Sequence, residues 1–278
     1  MNPFFTFLVQ PLANGLILFY RLLGSDIGLA IIGFTLFLRF ILSPLNKPYM
    51  ESMKKMRDLA PQLAKLKERH KNDKIKLAQA QADLYKENRL NPGAGCLPYI
   101  LQIVVLIAFF NVFSLALGIN ANPTEEFNKL LYDPLKFAPG TELNTKFLYF
   151  NVTHPDVFRI PGVPFDLPGP LLLLSALLQF VSAKVSLPYV KIAEGAAKKT
   201  TNESDDAQVA MQKSMIYMFP VFTVLVGIKF ASGLALYWLV FSITQTYQQV
   251  KSQGWGEMSP LISKLQLLYS SYLKKPSK

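Results

Sequence analysis

The chain has 278 residues, of which 51% are hydrophobic and 17% charged, with a formal net charge of +11. A soluble domain usually carries roughly a quarter charged residues. That deficit, with a mean hydropathy of +0.25, excludes disorder and argues against a soluble nucleic-acid binder, so no DNA partner is expected. One cysteine excludes an internal disulfide and a cysteine-built zinc site, and His70 and His154 alone leave little for metal or imidazole catalysis. No cofactor is expected. The composition is that of a membrane protein with a basic excess.

A bilayer-crossing helix needs about 17–25 mostly apolar residues. Residues 4–23 are apolar but interrupted by Gln10, Pro11 and Asn14, and the stretch stops at Arg21, Gly24 and Asp26. It lacks the basic start of a signal peptide. Residues 1–26 are therefore read as an amphipathic helix lying in the membrane interface, with a sixth span as the alternative. The first span is 27–45, and residues 46–96 follow as a basic segment. The second span is 97–118, then a weakly acidic outer loop at 119–166. The third span is 167–190, then a polar loop at 191–213. Residues 214–230 and 231–250 abut at Lys229, Ser232 and Gly233. Together they are too long for one crossing, so they are read as fourth and fifth spans in a tight hairpin. Pro220 should kink the fourth. Residues 251–278 form a basic tail. None of the five spans contains Asp or Glu. The fold class expected is all-α: a polytopic five-helix core, a cytosolic helical hairpin and an N-terminal interfacial helix.

The distribution of Lys and Arg gives the orientation. Residues 46–96 hold 12 basic and 6 acidic side chains, residues 191–213 hold 4 of each, and residues 251–278 hold 5 basic and 1 acidic. These three segments share one side if there are five spans. The other side, 1–26 with 119–166, has 5 basic and 7 acidic residues. The asymmetry places the N-terminus outside and the C-terminus in the cytosol.

Residues 49–90 read as two helices. Met53, Met56, Ala60, Leu63 and Leu66 recur at three- and four-residue steps, as do Ile75, Ala78, Ala82 and Tyr85 beyond the polar break at 71–74. Two readings of this hairpin stand side by side. It is a solvated spacer whose cations enforce topology, or a contact surface for anionic lipids, ribosomal RNA or a targeting receptor, centred on Met53, Lys54, Lys55, Met56 and Arg57. The methionines offer a pliable surface or are core.

Arg39 lies about 18 Å into the first span at 1.5 Å per residue. A charge there costs about 2.5–3.5 kcal/mol on insertion scales, and no span supplies an acid. Snorkelling, a water-filled cavity, or a counter-ion on a partner would each explain it. Thr35, Arg39 and Ser43 share one helix face. Ser175, Gln179, Ser182 and Ser186 repeat that pattern in the third span, and Trp238, Ser242, Gln245 and Gln249 in the fifth; Gln102 adds a polar group to the second. The stripes suggest a shared hydrophilic interior. Ordinary helix–helix hydrogen bonding explains the serines equally well, but not Arg39.

At these residues the chain resembles the YidC/Oxa/Alb membrane protein insertase family, its bacterial YidC-like members in particular. The match runs through Thr35-Leu36-Phe37-Leu38-Arg39 with Ser43-Pro44-Leu45-Asn46-Lys47, then Ser52-Met53-Lys54-Lys55-Met56-Arg57 with Pro61. It continues in Asn91-Pro92-Gly93-Ala94-Gly95-Cys96-Leu97-Pro98 with Gln102, in Phe219-Pro220, and in Ser232-Gly233-Leu234-Ala235-Leu236-Tyr237-Trp238. The resemblance implies five helices around a positively charged groove open to cytosol and lipid, with Arg39 as its arginine. It also implies a non-enzymatic insertase and folding chaperone, in the plasma membrane of a bacterium, acting on nascent membrane proteins. A ribosome, a signal-recognition receptor and a Sec-type translocon are implied partners, and a monomer suffices. Groove residues carried over are Thr35, Arg39, Ser43, Gln102, Gln179, Ser182, Tyr237, Trp238, Ser242 and Gln245. Trp238 stands where relatives usually carry another aromatic residue. The competing class is a channel or small-solute transporter with a polar cavity; the paired repeats usual in transporters are not seen.

Overall fold

A computed structural model of the chain describes residues 5–70, 73–89, 97–117, 122–162, 164–186 and 203–273. The Asn91–Cys96 part of the family-like motif, the end of the third expected span at 187–190, loop residues 191–202 and Lys274–Lys278 fall outside them.

The described chain is mainly helical. A short π-helix, Phe5–Val9, runs into α1, Gln10–Leu22. Then come α2 (Ile27–Arg69), α3 (Lys74–Glu87), α4 (Leu97–Ala116), α5 (Pro123–Leu130), α6 (Pro170–Ser186), α7 (Glu203–Gly227), α8 (Ser232–Gln253) and α9 (Ser259–Leu273). By length and composition, one described helix segment, Ile27–Leu45, meets the full criterion for crossing a membrane; Ile103–Ala116, Pro170–Val185 and Ile216–Gly227 are shorter apolar stretches.

The chain divides into two compact units. The first comprises Met1–Asn46, Cys96–Gln179 and Phe219–Thr244. Its core joins Ala13, Leu16 and Ile17 of α1, Ile27, Ile31 and Phe34 of α2, Phe109, Val112 and Phe113 of α4, and Leu234–Trp238 of α8. Rings run through it from Phe34 to Phe109 (6.0 Å) and from Phe109 to Tyr237 (4.5 Å). The N-terminal helix is tied to the 119–166 segment. Asn14 donates to the Leu130 carbonyl (3.0 Å) and accepts from the Tyr132 N–H (2.8 Å). Arg21 donates to the Leu135 carbonyl (2.8 Å), and the Tyr20 hydroxyl accepts from the Asn144 N–H (3.1 Å). Both segments had been assigned to one side of the membrane by charge.

The 119–166 segment, expected as an outer loop, holds α5 and two antiparallel hairpins. Lys146–Phe147 pairs with Phe150–Asn151, and Val157–Phe158 pairs with Leu167–Pro168. Leu167 and Pro168, expected inside the third span, are thus strand, and the helix starts at Pro170. These hairpins cap two helices. A helix N-terminus leaves its first N–H groups without helical acceptors. For α6, the Asp156 carboxylate accepts from the Leu172 N–H (2.9 Å) and the Tyr149 hydroxyl accepts from the Leu171 N–H (2.9 Å). Gly169 makes this possible, because a Cβ there would meet the Asp156 carboxylate. For α8, the Ser232 and Gly233 N–H groups donate to the carbonyls of His154 (2.8 Å) and Val152 (3.0 Å).

The second unit comprises Lys47–Gly95, Phe180–Met218 and Gln245–Lys278. Here α2 and α3 meet the expectation of two helices, with the polar break between them. The first helix is continuous with the first span, through Pro44, Pro48 and Pro61. The Asp73 carboxylate caps α3, accepting from the Lys76 N–H (3.0 Å). The second expected seam is corrected. Ile75 is 83% exposed and Ala78 and Ala82 are exposed, whereas Leu77 is only 4% exposed, with Gln81 and Leu84 half-buried. A leucine removes more apolar area from water than an alanine, so the leucine face wins.

Candidate groove around Arg39

Arg39 is 7% exposed. Its Nε donates to the Thr244 hydroxyl (3.1 Å) and its Nη2 to the Phe241 carbonyl (3.3 Å). The guanidinium carbon sits 3.8 Å from the centroid of the Phe241 ring. These contacts are all with uncharged groups. A delocalised, weakly hydrated guanidinium suits such a place, since it spreads its donors and stacks on aromatic faces.

The α8 face presented to Arg39 is Tyr237, Phe241 and Thr244, at steps of four and three. Tyr237 is 2% exposed, stacks on Phe109 and lies within electrostatic range of Arg39. The groove set expected on α8 from the sequence holds Tyr237, Trp238, Ser242 and Gln245, so it shares Tyr237 with this face. It missed Phe241 and Thr244. The signal was present in the four-residue step from Tyr237 to an aromatic residue, a natural seat for a cation.

The other expected groove residues separate. The Thr35 hydroxyl bonds back to the Ile31 carbonyl (2.6 Å). Ser175 donates to the Leu171 and Ala235 carbonyls (2.8 and 2.9 Å), the second a link between α6 and α8. Gln179 accepts from the Thr223 hydroxyl (2.7 Å), which joins α6 to α7. The Ser175–Ala235 and Thr223–Gln179 bonds join different helices, whereas Thr35 bonds within its own. Two donors beside them have no partner among the described residues: Gln179 Nε2 and Trp238 Nε1, each on a side chain 7% exposed. Ser43 is half-buried on α2 and Ser242 is buried on α8. Ser182 of α6 and Gln245 of α8 belong to the second unit. Gln102 lies on α4, its side chain outside the described set, as are those of Met53, Met56 and Arg57; Lys54 and Lys55 are exposed.

Among the described residues, no three His, Cys, Asp or Glu side chains are grouped to hold a metal ion. The first unit thus holds a buried cation on an aromatic face and, elsewhere on α6 and α8, two buried donors without a partner among the described residues. Phe40, Ile103, Leu177 and Phe222 are exposed apolar side chains on α2, α4, α6 and α7, as expected of helices facing lipid in an integral membrane protein.

Comparison with known proteins agrees. A family described as "60Kd inner membrane protein" matches residues 18–256, and the chain belongs to that family. It is similar to the membrane protein insertase YidC of Pelagibacter ubique, 31% identical over 252 residues, covering 88% of this chain and 39% of the relative. It is 30% identical to the YidC of Fusobacterium nucleatum, covering 81% of this chain and 85% of the relative. It is 30% identical to the "Membrane protein insertase YidC 2" of Bacillus anthracis, covering 87% and 78% respectively. The chain thus spans about two fifths of the longer relatives and most of the shorter ones.

Proposed function

We propose that this protein is a membrane protein insertase and folding chaperone that receives hydrophilic parts of nascent membrane proteins at Arg39 and releases their apolar segments into lipid. The observation that carries the reading is Arg39 itself. It is a nine-tenths buried guanidinium, deep in an apolar helix, seated on Phe241 and hydrogen-bonded to neutral groups. An acidic or polar stretch of a client would supply the acceptors such a site attracts, and so shorten that stretch's path through hydrocarbon. The unpartnered donors of Gln179 and Trp238 support a polar lining. No nucleotide-binding loop of the Gly-Lys-Ser/Thr type occurs in the sequence, so partitioning and the membrane potential would drive the process.

The accompanying architecture is five spans in a bacterial plasma membrane, N-terminus outside and C-terminus cytosolic. The hydrogen bonds from Asn14, Tyr20 and Arg21 to residues 130–144 support the common outer side of α1 and the loop. The basic hairpin, with Met53, Lys54, Lys55, Met56 and Arg57, would recruit a ribosome, a signal-recognition receptor or a Sec-type translocon, and would lie near anionic lipid.

Reconstituted liposomes test the reading. Arg39→Ala should reduce insertion of clients with acidic translocated tails, and Arg39→Lys should be milder, because charge is what is invoked. Equal insertion by wild type and Arg39→Ala across several such clients would remove Arg39 from the mechanism. Photo-crosslinking of a stalled nascent chain from positions 39, 102 and 238 tests the path itself.

A further inference from the structure

We propose that α9 is an in-plane membrane helix that lays its leucine face on the anionic lipid surface next to the end of α8. The helix carries an apolar arc, with one further leucine, Leu267 (69% exposed), outside it. At about 100° per residue, Leu261, Ile262 and Leu265 fall within one arc of about 100°, with Ser259, Ser263 and Gln266 beyond it. Leu261 and Leu265 are 50% and 52% exposed, so this face is open to whatever lies beside it. The spacing continues in the sequence with Leu268 and Tyr272.

Three features select lipid as the occupant. The first is charge: residues 258–278 contain Lys264, Lys274, Lys275 and Lys278 and no acid. Lysine-flanked apolar helices are attracted to anionic headgroups and insert their apolar face at the acyl boundary. The second is position. α8 ends at Gln253, and only a short turn, with the 3₁₀ segment Gly256–Met258, precedes Ser259. If 231–250 crosses the bilayer, α9 begins at headgroup depth. The third is the turn's geometry. Gly254 and Gly256 have positive φ (75° and 51°), the Gly254 N–H closes on the Val250 carbonyl (2.9 Å), and Ser259 Oγ donates to the Gly256 carbonyl (2.8 Å). The chain is thereby turned out of the α8 axis into a new helix, with Trp255, 38% exposed, at the corner. Tryptophan is enriched at this depth because its ring is apolar and its N–H is not.

The inference rests on the membrane reading of α8 and not on insertase activity. The full chain with Cys96→Ser would be reconstituted into vesicles of phosphatidylcholine, with and without phosphatidylglycerol. Single cysteines carrying a polarity-sensitive fluorophore would replace Leu261, Leu265 or Ser263, with Leu173 of α6 as a span marker. Brominated acyl chains should quench positions 261 and 265 at least about threefold more than 263, as expected of a helix half-sunk in the interface. Phosphatidylglycerol should increase that difference, and Lys264→Gln should reduce the increase. Equal quenching at 261, 263 and 265 would overturn the proposal. So would labels at 261 and 265 that are shielded from water yet untouched by brominated lipid, which would mean the face docks on protein. Indifference to phosphatidylglycerol would overturn the anionic preference. Loss of quenching at Leu173 as well would overturn both the proposal and the span reading beneath it.

Discussion

Arg39 shows how a charge is held where water is scarce. Its seat on the Phe241 ring and its bonds to Thr244 and the Phe241 carbonyl spread the cation over neutral dipoles. The same logic of satisfaction governs Thr223 and Gln179, 2.7 Å apart and buried. Thr223→Val strands the Gln179 carbonyl and should cost about 1 kcal/mol. The double variant Thr223→Val/Gln179→Met removes both partners and should cost less than the single one. Thermal unfolding in detergent compares them, and simple additivity would count against the pairing. Outside the membrane, Asp73 caps α3, and hydrogen bonds from the Lys76 backbone and side chain hold its carboxyl below the usual carboxylate value of 3.8. A depressed folded value means that the cap contributes above the unfolded value and is lost as pH falls through the folded one. Amide exchange at Lys76 should therefore accelerate only below about pH 4, the ordinary carboxylate range, and Asp73→Asn should flatten that dependence.

Elements in this chain are positioned by what touches their ends as much as by their faces. α6 and α8 both begin on the 149–156 segment, through Asp156 and Tyr149 for one and the Val152 and His154 carbonyls for the other. Capping both helices from one short segment fixes their relative register, which sets Ser175 against the Ala235 carbonyl. In the hairpin, the observed seam makes a clear distinction. Leu77→Ala should destabilise α3 by about 2 kcal/mol or more, the range for a buried leucine. Ile75→Ala should leave it nearly unchanged, because Ile75 is 83% exposed. Hydrogen exchange across 74–87 reads the difference, and equal effects would restore the Ile75 seam.

At the scale of the whole molecule, the placement of Lys and Arg predicts which segments share a side of the membrane. Within the first unit, α1 grips residues 130–144 through Asn14, Tyr20 and Arg21. In a Cys96→Ser background, a membrane-impermeant maleimide added to right-side-out vesicles should label Glu142→Cys and spare Lys54→Cys until the membrane is opened. The reverse pattern would invert the topology.

The main helices, the location of the break at 228–231 and the depth of Arg39 in an apolar helix were legible in the sequence, because hydropathy period, turn residues and a charge in an apolar run are local signals. So was the family. What surrounds Arg39 was not legible, since a helix of period 3.6 offers several polar stripes and only packing chooses among them. Tertiary structure adds Phe241 and Thr244 to Tyr237 beside Arg39. It likewise chose Leu77 over Ile75, and gave the outer loop the task of capping two helices. Backbone hydrogen bonds between segments far apart in sequence leave no mark on composition. The sequence by itself determined a helical, basic membrane protein with a cation, Arg39, set inside an apolar helix. Only the tertiary structure decided that the cation rests on an aromatic ring among neutral acceptors, because the cost of burying it is met by groups some two hundred positions away.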